Sequence, residues 1–205
     1  MTKKALSLVL TSSTILFTAG CGGGGEVSST PQASESSPAP EVATGPSGSV
    51  SGVITYTNGD PDTEIKMAAD PTCQGLHSDA VYTERVVASE AGQLANVFVY
   101  VKEGVTGSYS APSDSMVLDQ NGCQYSPHVS GVMVGQTLVI RNSDATLHNV
   151  HALPKNNPEF NQGQPFQNME IEKTFDAAEV MIRFKCDVHP WMGSYMGVVE
   201  HPFFN

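Results

Sequence analysis

The chain has 205 residues and sets 10 Lys and Arg against 21 Asp and Glu, a formal net charge of −11 at pH 7. Such an acidic surface repels a phosphate backbone and excludes nucleic acid as the expected partner, while it would steer a basic protein toward itself. The first and last parts differ so much in composition that only the later part can build a hydrophobic core.

Residues 1–20 open with Lys3 and Lys4, run through an apolar stretch and reach small residues before Cys21, the order of a secretory signal. The apolar run is shorter and richer in Ser and Thr than the about 20 mostly apolar residues of a membrane helix, so a helical anchor is the weaker reading. Thr18-Ala19-Gly20-Cys21 resembles a bacterial lipobox, with Thr18 where Leu is usual. The resemblance implies acylation of Cys21 and attachment to a membrane through the lipid. Gly22 rather than Asp after that cysteine implies, in the same pattern, the outer membrane. The expected place is therefore the cell envelope, as an exported lipoprotein facing the periplasm. Without Lys3 and Lys4 the chain keeps 8 basic and 21 acidic residues, formally −13.

Residues 21–48 are mostly Gly, Ser, Pro, Ala and Thr and lack the aromatic and branched apolar side chains that offset the entropy of ordering. They read as a flexible tether. Residues 49–205 are long enough for one domain with a sizeable core.

Within that domain, short apolar or alternating stretches lie at 51–56, 95–101, 131–134, 137–141, 180–184 and 197–200, separated by Gly, Pro, Asn and Asp. Their length and Val, Ile, Phe and Tyr content predict strands between turns. The pattern is all-β, an antiparallel sandwich or barrel. Residues 79–91 are the one stretch with some helical character, and 156–167, rich in Asn, Gln and Pro, read as a loop.

The four cysteines divide by context. With Cys21 assigned to the lipid, Cys73 in Asp-Pro-Thr-Cys-Gln-Gly and Cys123 in Gln-Asn-Gly-Cys-Gln-Tyr pair most economically as a disulfide. Cys186 is left over. In Cys186-Asp187-Val188-His189-Pro190-Trp191-Met192, a thiolate, an imidazole and a thioether recur every third residue behind the apolar stretch 180–184. These soft and borderline donors suit copper: one Cys, two His and a weak axial Met make the blue-copper set. A second histidine must come from another strand. His148 and His151, after the stretch 137–141, are both candidates; spaced three apart, they point to opposite faces of an extended strand.

These two segments resemble the cupredoxins, and among them most closely the amicyanins, in the short Cys186-x-x-His189-Pro190-x-Met192 loop and the His148-Asn149-Val150-His151 string. Residues 134–144 are also similar to the family's stretch before its first ligand, so the likeness spans about 131–200. It implies a Greek-key cupredoxin-like β-sandwich or barrel, here with an enlarged N-terminal part, and one type 1 copper ion. It implies His148, Cys186 and His189 as equatorial ligands, Met192 as the axial one, and Asn149 as the residue whose hydrogen bonds hold the ligand loop. It also implies that the loop histidine, His189, lies nearest to solvent and is the electron exit. The chain further resembles exported plastocyanin-like proteins of the "methylamine utilization" type.

The expected function is one-electron transfer by Cu(II)/Cu(I) cycling with redox partner proteins such as a c-type cytochrome or a periplasmic dehydrogenase. The alternatives are a periplasmic copper carrier or sensor, and an interaction module that uses no metal. A four-ligand site leaves no open position for substrate, and the chain has no phosphate loop, zinc-protease helix motif or serine elbow, so no enzyme is expected. His151 reads as a surface residue, Met196 as packing, and Trp191 as an apolar rim beside the loop. His77, His128 and His201 have no partner motif, although His128 and His201 could form a second site.

Overall fold

The computed structural model describes residues 48–57 and 62–205. The expected signal 1–20, the expected acylation site Cys21 and the expected tether up to residue 47 lie outside the described residues. Among the described residues no helix is long and apolar enough to cross a membrane.

The described residues form one short helix, α1 (Pro71–Gly75), followed by nine strands: β1 (Met116–Asn121), β2 (Gln124–Ser126), β3 (Val129–Met133), β4 (Leu138–Asn142), β5 (His148–Leu153), β6 (Phe160–Gln164), β7 (Met169–Lys173), β8 (Glu179–Lys185) and β9 (Gly193–Val199). Two sheets result, one ordered β2-β1-β4-β7 and the other β3-β9-β8-β5-β6. Leu118, Leu138, Ile140, Val132, Val150, Ile182, Phe184, Met196 and Val198 are buried between them. The alternation of Leu138, Ile140 and Asn142 with half-buried neighbours on β4 shows the two-residue period that puts one face inward.

The all-β sandwich agrees with the sequence pattern, with four differences. The sheets are mixed, because β1 pairs with β4 and β3 with β9 in parallel. Each pair joins strands that are not consecutive, which the crossing connections of the sandwich permit. The stretches 51–56 and 95–101 build no strand. Thr55 and Tyr100 each make only an isolated bridge, to Gln93 and Phe204, and Val53 and Val99 are exposed, so no partner strand completes a ladder. Residues 79–91 are not helical; bridges at Tyr82 and Ala88 hold them extended. The segment 156–167 is more than a loop, since β6 within it pairs antiparallel with β5, setting Gln164 opposite His148.

α1 begins where its local sequence says a helix turn can start. Asp70 caps it by accepting from the N–H groups of Thr72 and Cys73, and Pro71 takes the first position, where a missing N–H costs nothing. Cys73, buried on this turn, is joined by a disulfide to Cys123 in the β1–β2 turn.

Candidate metal centre

Two elements bring the predicted donors together. His148 opens β5 behind a turn tied by Asn142, whose Nδ2 donates to the Thr146 carbonyl at 2.9 Å and whose Oδ1 accepts from the Asp144 N–H at 3.0 Å. The loop after β8 closes on itself: the Met192 N–H donates to the His189 carbonyl at 2.9 Å, and the Cys186 N–H donates to the Met192 carbonyl at 3.3 Å. His148, Cys186, His189 and Met192 are all buried.

The nitrogen and sulfur atoms of His148, Cys186 and His189 converge within 4.8 Å of one another. His148 Nδ1 and His189 Nδ1 are 2.9 Å apart, and Cys186 Sγ stands 3.9 Å from His189 Nδ1. The far nitrogens face carboxylates: His148 Nε2 donates to Asp144 at 2.9 Å and His189 Nε2 to Asp70 at 3.0 Å. An ionised carboxylate only accepts, so each ring carries a proton on Nε2 and leaves Nδ1 as the nitrogen that faces the cluster and can give its lone pair to a cation. Two lone pairs and a sulfur aimed at one point form a cation site of borderline-soft character, and the residues present fit copper.

The electrostatics have the same sign. Burial opposes the charged form of His148, but Asp144 and Cys186 outweigh it and raise the imidazole to about 9. Burial pushes the Cys186 thiol up, yet His148 and the surrounding N–H groups hold it below its ordinary value. Burial likewise raises Asp144, and the His148 imidazole with the N–H groups of Cys123 and Gly122 brings it back below the usual carboxylate range. The pocket therefore favours positive charge at the point where the donors meet.

Asn149 sits where it can hold the loop. Its Oδ1 accepts from the N–H groups of Asp187 at 2.7 Å and Val188 at 3.3 Å, and lies 3.3 Å from Cys186 Sγ. His151 points away from the site, as the strand alternation requires. Its Nδ1 donates to Asp187 and its Nε2 to Glu159, each at 2.9 Å. Met196 is buried on β9 opposite Ile182. His77 bonds the Gly122 carbonyl at 2.7 Å. His128 packs edge-on to Tyr195, and His201 bonds the Val101 carbonyl; neither stands in a cluster of three metal donors among the described residues.

His189 is only 2% exposed, as are Cys186 and Met192, with His148 at 0%; Asp70, Cys73 and Trp191 cover its outer edge. Trp191 is half-buried against the core beside the loop, with its indole N–H bound to the Cys123 carbonyl at 3.0 Å. Asp70 and Asp144 are the site residues that sequence reasoning missed. Asp144 stands four residues before His148 in the same turn, and Asp-Pro is a helix-start signal, but neither pattern points to an imidazole by itself.

No protein-family model and no curated protein matches the chain. Among solved structures it is similar to an amicyanin variant in the Cu(I) form, at 26% identity over 41% of this chain and 81% of that one, with a TM-score of 0.37. A purple cupredoxin from Nitrosopumilus maritimus is similar at 22% identity over 41% of this chain and 97% of that one, with a TM-score of 0.35. A copper-containing nitrite reductase from Thermus scotoductus SA-01 matches at 19% identity over 50% of this chain but only 26% of its own, with a TM-score of 0.39.

Proposed function

We propose that the chain is a type 1 copper protein that carries single electrons in the cell envelope, held to a membrane through acylated Cys21. The observation that carries this reading is the convergence of His148 Nδ1, His189 Nδ1 and Cys186 Sγ, with both Nε2 atoms already committed to carboxylates. His148, Cys186 and His189 would hold the ion, with Met192 from the same loop as the weak axial donor. Copper bound there supplies a one-electron couple between Cu(II) and Cu(I). The chain's part is to keep the donors in one geometry. Asp144 fixes the His148 ring, Asn149 braces the loop carrying Cys186 and His189, and burial of all four donors excludes water from the centre. A site that moves little between two charges transfers electrons with little reorganisation. No coordination position is left for a substrate, so a carrier rather than an enzyme is proposed, with a c-type cytochrome or a periplasmic dehydrogenase as the kind of partner.

The test is visible absorption and electron paramagnetic resonance of the full chain in mild detergent, titrated with Cu(II) beside Cys186→Ser. The expected result is an intense thiolate-to-copper band with narrow hyperfine splitting that is absent from the variant. A colourless complex indifferent to Cys186→Ser would sink the electron-transfer reading and favour metal carriage.

A further inference from the structure

His189 is closed off by a part of the chain remote in sequence. Asp70 Oδ2 accepts from His189 Nε2 at 3.0 Å, while Asp70 Oδ1 accepts from the N–H groups of Thr72 at 2.8 Å and Cys73 at 3.1 Å. Cys73 Sγ stands 3.5 Å from the same Nε2. The Trp191 ring lies 5.1 Å from the His189 ring, anchored through its N–H to Cys123.

The other imidazole is treated in the same way. Asp144 accepts from the N–H groups of Gly122 at 2.8 Å and Cys123 at 2.7 Å, and from His148 Nε2 at 2.9 Å. Each half of the Cys73–Cys123 disulfide thus gives its backbone N–H to a carboxylate, and each carboxylate takes the Nε2 proton of one imidazole. Asp144 sits in the turn beside its histidine, but Asp70 is 119 residues away from His189. Beyond the main chain that leads on to β1, the disulfide joins the turn that carries it covalently to the sandwich.

We propose that Asp70 is a positioning residue for His189, and that the disulfide-pinned turn Pro71–Gly75 is a cap built to hold it there. This rests on the reading of His189 as a copper ligand. The carboxylate selects the Nε2–H tautomer, fixes the ring so that Nδ1 points inward, and with Cys73 shuts the ring edge from water. A partner at the ligand locking a metal-binding histidine in this way sets both affinity and electronic character. The negative charge also favours the more highly charged ion, so the cap stabilises Cu(II) over Cu(I).

The experiment compares the full chain with Asp70→Asn, Asp70→Ala and Asp70→Glu, using three readouts. Nitrogen-15 resonances of the His189 ring, recorded without added metal, should show a single Nε2–H tautomer in the parent and in Asp70→Glu, and tautomer exchange in Asp70→Ala. Chelator competition should show Cu(II) affinity about tenfold lower in Asp70→Asn and Asp70→Ala. If that loss falls on the oxidised ion alone, the reduction potential rises by about 59 mV. Asp70→Asn keeps an oxygen for capping α1, so a folding failure of Asp70→Ala leaves the test intact. An unchanged tautomer, affinity and potential in a folded Asp70→Asn would overturn the cap. A parent chain without the blue band would instead count against the copper reading, and the metal-free nitrogen spectra would still decide whether Asp70 positions His189.

Discussion

Residues 62–115 and strands β1–β9 are held by different means. The sandwich is tied by continuous ladders and by apolar side chains contributed from both sheets, so no single contact carries it. The N-terminal stretch has one helix of five residues and a few isolated bridges, and its only buried hydrophobic residues are Ile65, Met67 and Cys73. Too few backbone hydrogen bonds and too little apolar burial remain to order it alone. It is stapled to the sandwich at a small number of points, and one of those staples lies against the candidate metal centre. A region attached in this way should lose its order before the sandwich does when a staple is cut.

The disulfide is the strongest staple. It closes a sequence separation of 50 residues, and its removal in Cys73→Ser/Cys123→Ser should cost about 4 kcal/mol by the chain-entropy account. Denaturant unfolding reads the size of the loss, and hydrogen exchange reads its place. Amides of Ile65 and Thr83, bonded to the carbonyls of Val81 and Thr63, should lose protection while those of β8 and β9 keep theirs. A loss below about 1 kcal/mol, spread evenly over the chain, would show that the bridges and Ile65 suffice without the covalent link.

An aromatic staple comes next in size. Gly131 and Gly197 face each other across β3 and β9, and the Phe98 ring lies on them so closely that a Cβ at either position would overlap it. Phe204 packs beside Phe98, with ring centroids 5.7 Å apart. Gly197→Ala should therefore displace Phe98 and destabilise by roughly 1–3 kcal/mol, the usual cost of overpacking. The same substitution in a Phe98→Ala background should be nearly neutral. Equal losses in both backgrounds would mean that the glycine serves the strand and not the docking of the N-terminal stretch.

The same contrast explains what could be read from the sequence. β4 and β8 are legible because Leu138 and Ile140, and Ile182 and Phe184, repeat with the period of a strand and are buried. β1 and β6 are hidden because their inward faces carry Gln120 and Gln164, buried polar residues joined by the bond from Gln120 Nε2 to Gln164 Oε1 at 2.6 Å. The stretches at 51–56 and 95–101 mislead in the opposite direction, being apolar but without a neighbouring strand to complete a ladder. At the site, Cys186, His189 and Met192 are neighbours in one loop, so their spacing alone suggests shared chemistry. Asp70 meets His189 only through the tertiary fold, and no local pattern records that contact. The burial of His189 is equally invisible, because it depends on where the N-terminal stretch docks.

The weakest of these effects is a polar clip on the sandwich's own rim, where His151 ties the ligand loop at Asp187 to Glu159 ahead of β6. The bond to Glu159 raises the His151 pKa above its ordinary 6.5; burial opposes this, Asp187 adds to it, and Lys185 works against it. A histidine whose folded pKa is raised contributes stability that is complete below its unfolded value and is lost as pH rises through the folded value. Because Glu159 is exposed, the contribution should stay below about 1 kcal/mol and shrink further in high salt. Melting of the parent chain and of His151→Gln, compared at about pH 5.5 and about pH 9, should show a gap at the lower pH that closes at the higher. A gap of the same size at both values would mean that His151 acts through packing, and that the rim, unlike the stapled stretch, owes nothing to charge.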